Sequence, residues 1–149
     1  MYKDKQTPAW AMRFGYAGVL PQLLFLALAM LGDGAKWIAQ AGAFAYAALI
    51  FSFLGGIWWA QACAVPAPRL RHFAVAVSPS LIGLACFMPW VLGLTWPGPY
   101  LALLGLLLTI SPVVDIGLFA AASETSQWTA LRVRLSIALG LTTLLITLV

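Results

Sequence analysis

The sequence predicts an all-α integral membrane bundle of five transmembrane helices, and two observations lead to this prediction. The chain of 149 residues is 63% hydrophobic and only 8% charged, a composition typical of membrane proteins. Its apolar residues form five long runs, each close to the roughly 20 residues that a helix needs to cross a bilayer. The runs are too long for barrel strands and lack the alternation of apolar and polar residues that a transmembrane β-barrel requires.

Short turn-forming or polar segments separate the predicted helices. The helices are expected at residues 14–31, 38–62, 73–94, 99–122 and 131–149. The connections between them are Gly32-Asp33-Gly34, Pro66-Ala67-Pro68, Trp96-Pro97-Gly98-Pro99 and residues 123–129, and the first three contain the residues that end helices. Little chain remains outside the helices. We therefore expect a single transmembrane domain over residues 1–149, in which consecutive helices pack antiparallel.

The basic residues predict the orientation. With five spans, Lys36 falls on one side of the membrane, and all other basic residues fall on the opposite side: Lys3, Lys5, Arg13, Arg69, Arg71, Arg132 and Arg134. Basic residues accumulate in cytoplasmic loops. This predicts a multi-pass protein of the bacterial inner membrane with a cytoplasmic N-terminus and an outer C-terminus, or the equivalent orientation towards a mitochondrial matrix.

Several function classes find no support in the sequence. The basic residues flank helix ends and do not form a patch with interleaved aromatics, so no nucleic-acid partner is expected. His72, the single histidine, is expected in a loop as a solvated or headgroup-facing residue, and no metal-ligand cluster accompanies it. Cys63 and Cys86 are predicted to lie at different depths as two packed thiols without a disulfide. Without a nucleophile constellation or a phosphate loop, we expect neither enzymatic activity nor a cofactor.

One carboxylate lies inside an apolar run, and polar residues of other helices are predicted at a similar depth. Asp115 is about eight residues from the end of the fourth helix, roughly 12 Å along its axis. Counting from the basic side puts Gln22, Trp58 and Ser78 in the same layer, and the side chain of Arg132 can reach it from nearer the surface. The cytoplasmic half is therefore predicted to be polar and the outer half nearly pure hydrocarbon.

Two main interpretations of this layer stay open. In the structural one, Asp115 pairs with Arg132 or Arg134, because an unpaired buried carboxylate is costly. These two arginines point to different faces of the fifth helix, so only one can look inward. In the functional one, the layer binds the polar head of a lipid-like or other hydrophobic ligand, with Asp115 and Arg132 as anchors and Trp58, Gln22 and Ser78 as lining. A proton pathway is the weakest alternative, since no second membrane acid is present.

The second helix carries a stripe of small residues with a spacing of four, which permits close approach of another helix. Its members are Ala48, Ser52, Gly56 and Ala60. Packing within the chain is the expected role. A homo-oligomer or a partner protein in a larger membrane complex is the alternative, and it would make the protein an assembly subunit.

A segment of the second helix resembles a known family. The residues from Tyr46 to Trp59, ending in Gly55-Gly56-Ile57-Trp58-Trp59, are similar to the signature of the family catalogued as domain of unknown function 3429. Ser78-Pro79-Ser80, Asp115 and the Leu131-Arg132 pair look like its other recurrent features. The resemblance implies a small multi-helix membrane protein, bacterial or, in a longer form, mitochondrial. It implies no activity.

Overall fold

The structure is a computed structural model that describes residues 8–94, 97–119 and 126–149. In these ranges all regular elements are α-helices: α1 (Ala9–Ala17), α2 (Leu20–Ala29), α3 (Asp33–Ala64), α4 (Leu70–Val91), α5 (Gly98–Leu118) and α6 (Ser126–Leu148). Together α1 and α2 form one span, and five spans are long and apolar enough to cross a membrane. The predicted all-α fold with five apolar spans is confirmed for the described residues.

The first span is broken near its middle, between α1 and α2. Pro21 lies in the first turn of α2, where its missing N–H leaves the carbonyl of Ala17, the last residue of α1, without its helical donor. The hydroxyl of Tyr46 on α3 donates a hydrogen bond to the carbonyl of Gly18 at the break. The span also begins at Ala9, five residues before the predicted start at Phe14.

Helix α3 is central, and α5 and α6 form the most extensive helix pair. α3 packs against α2, α4, α5 and α6, whereas the main contact of α1 is with α6. At the α5–α6 crossing two glycines let the backbones meet: a Cβ added to Gly140 would lie 2.7 Å from the carbonyl oxygen of Gly105. Such small-residue contacts replace the hydrophobic driving force that is missing between helices in lipid.

The small-residue stripe packs against α4 only in its first half. A Cβ on Gly83 would lie 3.7 Å from that of Ala48, and the hydroxyls of Ser52 and Ser80 are 2.7 Å apart. The next contact is Gly55, not the predicted Gly56: an added Cβ at Gly55 would lie 2.5 Å from the carbonyl oxygen of Ala76.

Gly56 and Ala60, the other two residues of the stripe, do not take part in the packing against α4. Both residues are exposed, and a Cβ on Gly56 would have no neighbour within 4 Å. The reason is geometric: four residues turn an α-helix by about 400°, so a strict four-residue stripe rotates by roughly 40° per step. After two steps the stripe has left the α4 contact and faces outward.

Two Ser-Pro pairs satisfy the carbonyls that their own prolines free. A proline inside a helix removes the donor for the carbonyl four residues earlier. The Ser78 hydroxyl donates to the carbonyl of Val75 at 2.8 Å, which is the carbonyl freed by Pro79. Ser111 does the same for Leu108 beside Pro112, also at 2.8 Å. The prolines are thus accommodated within their helices.

The ends of the helices fit the antiparallel order. The ammonium of Lys36, near the start of α3, donates to the backbone oxygen of Val149 at the end of α6. Cys63, at the opposite end of α3, is exposed, while Cys86 is buried in α4, and both are free thiols. The prediction of two separate free thiols is confirmed, but the predicted packing holds only for Cys86, since Cys63 is exposed.

Candidate functional site

Asp115 is held by side chains from two other helices. The indole Nε1 of Trp58 on α3 donates to Asp115 Oδ1 at 2.8 Å. Nη2 of Arg132, on the second turn of α6, lies 3.1 Å from the same oxygen, and both side chains of this ion pair are more than nine-tenths buried. Arg134 is exposed. The structural interpretation, a pair between Asp115 and one of two arginines, is confirmed for Arg132.

The ion pair leaves most of its hydrogen-bonding capacity unused. Although Nη2 is close to Oδ1, the contact lacks hydrogen-bond geometry. Nε, Nη1 and Nη2 of Arg132 and Oδ2 of Asp115 are buried without a hydrogen-bond partner among the described residues. A guanidinium carries five N–H donors, and leaving buried donors unpaired is costly. Arg132 is therefore neutralised by Asp115, and its guanidinium nitrogens are enclosed by the protein.

A cavity of about 360 Å³ borders Arg132. It lies between α1, α3 and α6, with Leu108 of α5 also contributing. Helix α1, which forms one side of the cavity, buries no residue of its own. It approaches α6 closely at Gly15, where an added Cβ would lie 2.9 Å from Leu135 Cδ1. The helix break at Gly18 also lies on its wall. Breaks in membrane helices recur at binding sites.

The polar groups of the cavity lie on one face of α6. Trp128, Arg132 and Ser136 follow each other at spacings of four residues and therefore share that face. The remaining wall is apolar, with Ile50, Leu54 and Ile57 from α3 and Leu131, Leu135 and Leu139 from α6 among its residues. The volume falls at the lower end of the range of small-molecule sites.

Of the residues predicted to line a ligand site, Arg132 borders this cavity, and four others lie elsewhere. Asp115 forms the ion pair with Arg132, Trp58 donates to Asp115, and neither Asp115 nor Trp58 lines the cavity. Ser78 is on α4, and its hydroxyl bonds within its own helix. Gln22 is remote from the pair.

Gln22 does not share the depth of Asp115, which corrects the sequence prediction. Its Nε2 donates to Thr143 Oγ1 at 2.7 Å, and the carbonyl oxygen of Ala43 is 3.5 Å away. Thr143 is 11 residues beyond Arg132, about 16 Å along α6. The depth was counted from a helix starting at Phe14. From the observed start at Ala9, Gln22 lies about 20 Å along the span, in the opposite half of the bundle.

The half of the bundle that contains Gln22, for which the sequence predicts nearly pure hydrocarbon, is also less apolar than predicted. Gln40, buried on α3, donates to the carbonyl of Ile146 at 3.2 Å, and the Gln22–Thr143 bond lies in the same half. Hydrogen bonds between helices in a membrane stabilise their association. These residues join α2, α3 and α6. A sequence signal for Gln40 exists, since a glutamine inside an apolar helix needs a hydrogen-bond partner.

His72 is buried, whereas the sequence predicts a solvated or headgroup-facing residue. It lies in the first turn of α4, which begins three residues earlier than predicted. Its Nδ1 accepts a hydrogen bond from the backbone N–H of Arg69 at 2.8 Å, so the side chain caps the helix. Its ring is 5.9 Å from that of Phe119 at the end of α5. A capping role was not visible without the position of the helix start.

The comparison with protein families supports the resemblance seen in the sequence. The family model described as "Protein of unknown function (DUF3429)" matches residues 7–149. The chain belongs to this family. No curated protein and no solved structure matches the chain. In this DUF3429 protein, Asp115 and Arg132, two recurrent features of the resemblance, form the buried ion pair. The signature segment contributes Trp58, which donates a hydrogen bond to Asp115, and Gly55, which lies at the α3–α4 crossing.

Proposed function

We propose that this DUF3429 protein is a membrane-embedded binding protein that holds a hydrophobic, lipid-like ligand in the cavity between α1, α3 and α6. The observation that carries the proposal is the cavity of about 360 Å³, whose wall is mostly apolar and includes a few polar residues of α6 such as Arg132 and Ser136. A mostly apolar cavity with a few polar residues fits a ligand with a polar head and a hydrocarbon body. The role is binding, without catalysis.

The basic residues support a proposed orientation for this site. Arg13, Arg69, Arg71 and Arg134 are exposed near helix ends on the side of Arg132, and Lys36 lies at the opposite end. By the positive-inside rule, the N-terminus would be cytoplasmic and the cavity would lie in the cytoplasmic half. The proposed membrane is the bacterial inner membrane.

The proposal is tested by native mass spectrometry of the full chain purified in mild detergent, with extraction of bound lipids. Wild-type protein is expected to carry one hydrophobic molecule per chain. Ile57→Trp fills the cavity from α3 and should reduce retention at least tenfold. The matched control is Ile116→Trp on α5, where the side chain is 58% exposed and does not line the cavity. Equal retention in both variants would contradict the proposal.

A second candidate, an assembly subunit of a membrane complex, is favoured by one observation. Gly56 and Ala60 are exposed on α3 next to the close α4 crossing, and a Cβ at Gly56 would meet nothing within 4 Å. A partner helix or a second copy could approach this surface closely. Gly56→Leu should then abolish recovery of a crosslinked partner while Asp115→Asn leaves it intact. Unchanged recovery with Gly56→Leu would exclude this surface.

A further inference from the structure

We infer that the cavity takes up one acyl chain of a bilayer phospholipid, which enters sideways between α1 and α3 while the head and the second chain of the lipid stay in the bilayer. The inference rests on the proposed function and specifies the source of the ligand and the part of it that is bound. It depends on three features of the described residues: an opening toward the lipid, a depth that matches one leaflet, and a volume that holds a single chain.

The cavity opens toward the lipid between α1 and α3. Phe14 on α1 and Phe53 on α3 both line it, and they are 73% and 65% exposed, so their side chains also face outward. Around them, each helix presents a stripe of lining residues that are at least partly exposed and spaced by three and four: Ala11, Phe14 and Gly18 on α1, and Ile50, Phe53 and Ile57 on α3. Residues at this spacing share one face of a helix. The two stripes are therefore the edges of a lateral opening.

The floor of the cavity, opposite this opening, is buried and apolar. It consists of leucines that line the cavity and are each at most 8% exposed: Leu54, Leu108, Leu131 and Leu139. Lipid chains that surround the bundle touch its exposed side chains and do not reach these leucines. A chain in contact with the floor has therefore passed between α1 and α3 into the cavity.

The cavity runs parallel to the helices over the depth of one leaflet. Along α6 its lining extends from Trp128 to Leu139, eleven residues or about 16 Å. It begins at the second residue of the span Gln127–Leu148, and half of a hydrocarbon core is about 15 Å thick. An acyl chain of the leaflet on this side therefore lies beside the cavity over its whole length and in the same direction.

The volume of the cavity holds one chain and no more. An apolar cavity of about 150 Å³ holds one benzene ring. By this ratio the cavity of about 360 Å³ holds about 14 non-hydrogen atoms, which corresponds to most of a single acyl chain. A whole phospholipid is several times larger, so its head and its second chain remain in the bilayer.

The inserted chain is favoured because it fills the cavity. Lipid chains are as apolar as leucine, so a chain that leaves the bilayer for this cavity gains no hydrophobic free energy. An unfilled apolar space, however, forfeits dispersion contacts along its wall, and the inserted chain restores them. The bilayer supplies such chains directly at the opening.

The test places the full chain in phosphatidylcholine nanodiscs that contain a trace of a photoreactive phosphatidylcholine. One probe carries a diazirine near the middle of an acyl chain, and the other carries it on the head. After irradiation, the labelled residues are mapped by mass spectrometry. The chain probe should label the floor residues Leu54, Leu131 and Leu139 at least tenfold more than the head probe does.

Two variants narrow the opening from opposite edges. Ile57→Trp does so from α3, and Ala11→Trp does so from α1, a helix that buries no residue of its own. Each should lower the labelling of Leu131 and Leu139 at least tenfold. Ile116→Trp, an exposed position on α5 outside the cavity, is the matched control and should leave it unchanged.

The possible results separate the inference from the function on which it rests. If the chain probe labels only exposed residues, if the head probe labels the floor equally, or if both narrowing variants leave the floor labels unchanged, the single inserted chain is overturned. The proposed function still stands in that case, provided that native mass spectrometry finds one retained molecule that Ile57→Trp loses. If it finds no retained molecule, or equal retention in Ile57→Trp and Ile116→Trp, the proposed function itself is overturned.

Discussion

The energetic coupling between Asp115 and Arg132 is the most quantitative prediction of the structure. Both side chains are at least 92% buried, and the charged atoms are 3.1 Å apart. At an effective dielectric constant near 20, unit charges at this distance attract each other by about 5 kcal/mol. Removing one partner leaves a buried charge without compensation, which costs about 3–5 kcal/mol of the free energy of unfolding. Arg132→Met and Asp115→Leu should each lose stability in this range.

The double variant Asp115→Leu/Arg132→Met should recover most of the lost stability. Replacing both members of a buried ion pair by apolar residues is often neutral or stabilising. Here the indole N–H of Trp58 loses its acceptor, which costs about 1–3 kcal/mol. We therefore expect the double variant within about 3 kcal/mol of wild type, although the single losses sum to roughly 6–10 kcal/mol. The expected coupling energy is several kcal/mol.

The assay is equilibrium unfolding of all four proteins in one detergent, analysed as a double-mutant cycle. Arg134→Met serves as the control, because Arg134 is exposed and its replacement should change stability by less than about 0.5 kcal/mol. Additive losses from Asp115→Leu and Arg132→Met would refute the reasoning, since they would mean that the two charges do not compensate each other in the folded protein.

Three further predictions concern helix packing, each measured by unfolding in the same detergent. Gly55→Ala should lower the free energy of unfolding by about 1–3 kcal/mol, because the new Cβ would lie 2.5 Å from a carbonyl oxygen of α4. The neighbouring variant Gly56→Ala should raise it by up to about 1 kcal/mol. Equal effects of the two variants would contradict the close contact of Gly55 with α4. Ser111→Ala should cost about 1–3 kcal/mol by unpairing the carbonyl that the following proline frees. The double variant Ser111→Ala/Pro112→Ala should recover most of the lost stability. If it does not, the Ser111 hydroxyl does not compensate for the N–H that Pro112 lacks. Gln22→Leu should cost about 0.6–2 kcal/mol, the range of hydrogen bonds between membrane helices; an unchanged stability would contradict its bond to α6.

The fold could be predicted from the sequence because a membrane imposes a single strong rule. Backbone polar groups in hydrocarbon must be satisfied within a helix, so long apolar runs give the spans directly. The pairing of Asp115 with an arginine followed from the same physics, since a buried carboxylate needs a partner. Arg132 and Arg134 are two residues apart on α6, so only one of them can face the interior of the bundle. The structure shows that this residue is Arg132.

The depth and the lateral position of the polar groups could not be predicted in the same way. An error of five residues at the start of the first span moved Gln22 by about 8 Å, enough to assign it to the wrong half. The cavity itself has no local sequence signal. Its wall includes the break at Gly18 and the sparsely packed α1, which depend on tertiary contacts. His72 likewise gained its capping role from a helix start that the hydropathy of the sequence did not locate.

Photocrosslinking would test the central claim, that the cavity beside Arg132 holds a ligand, most directly. A methyl alkanoate ester with a diazirine in its chain is irradiated with the full chain in mild detergent, and the labelled residues are mapped. We predict labels on cavity residues such as Leu135, Leu139 and Ile57, suppressed by excess methyl dodecanoate. Labels spread over the exposed residues Leu106 and Ile116, unaffected by the competitor, would contradict the claim.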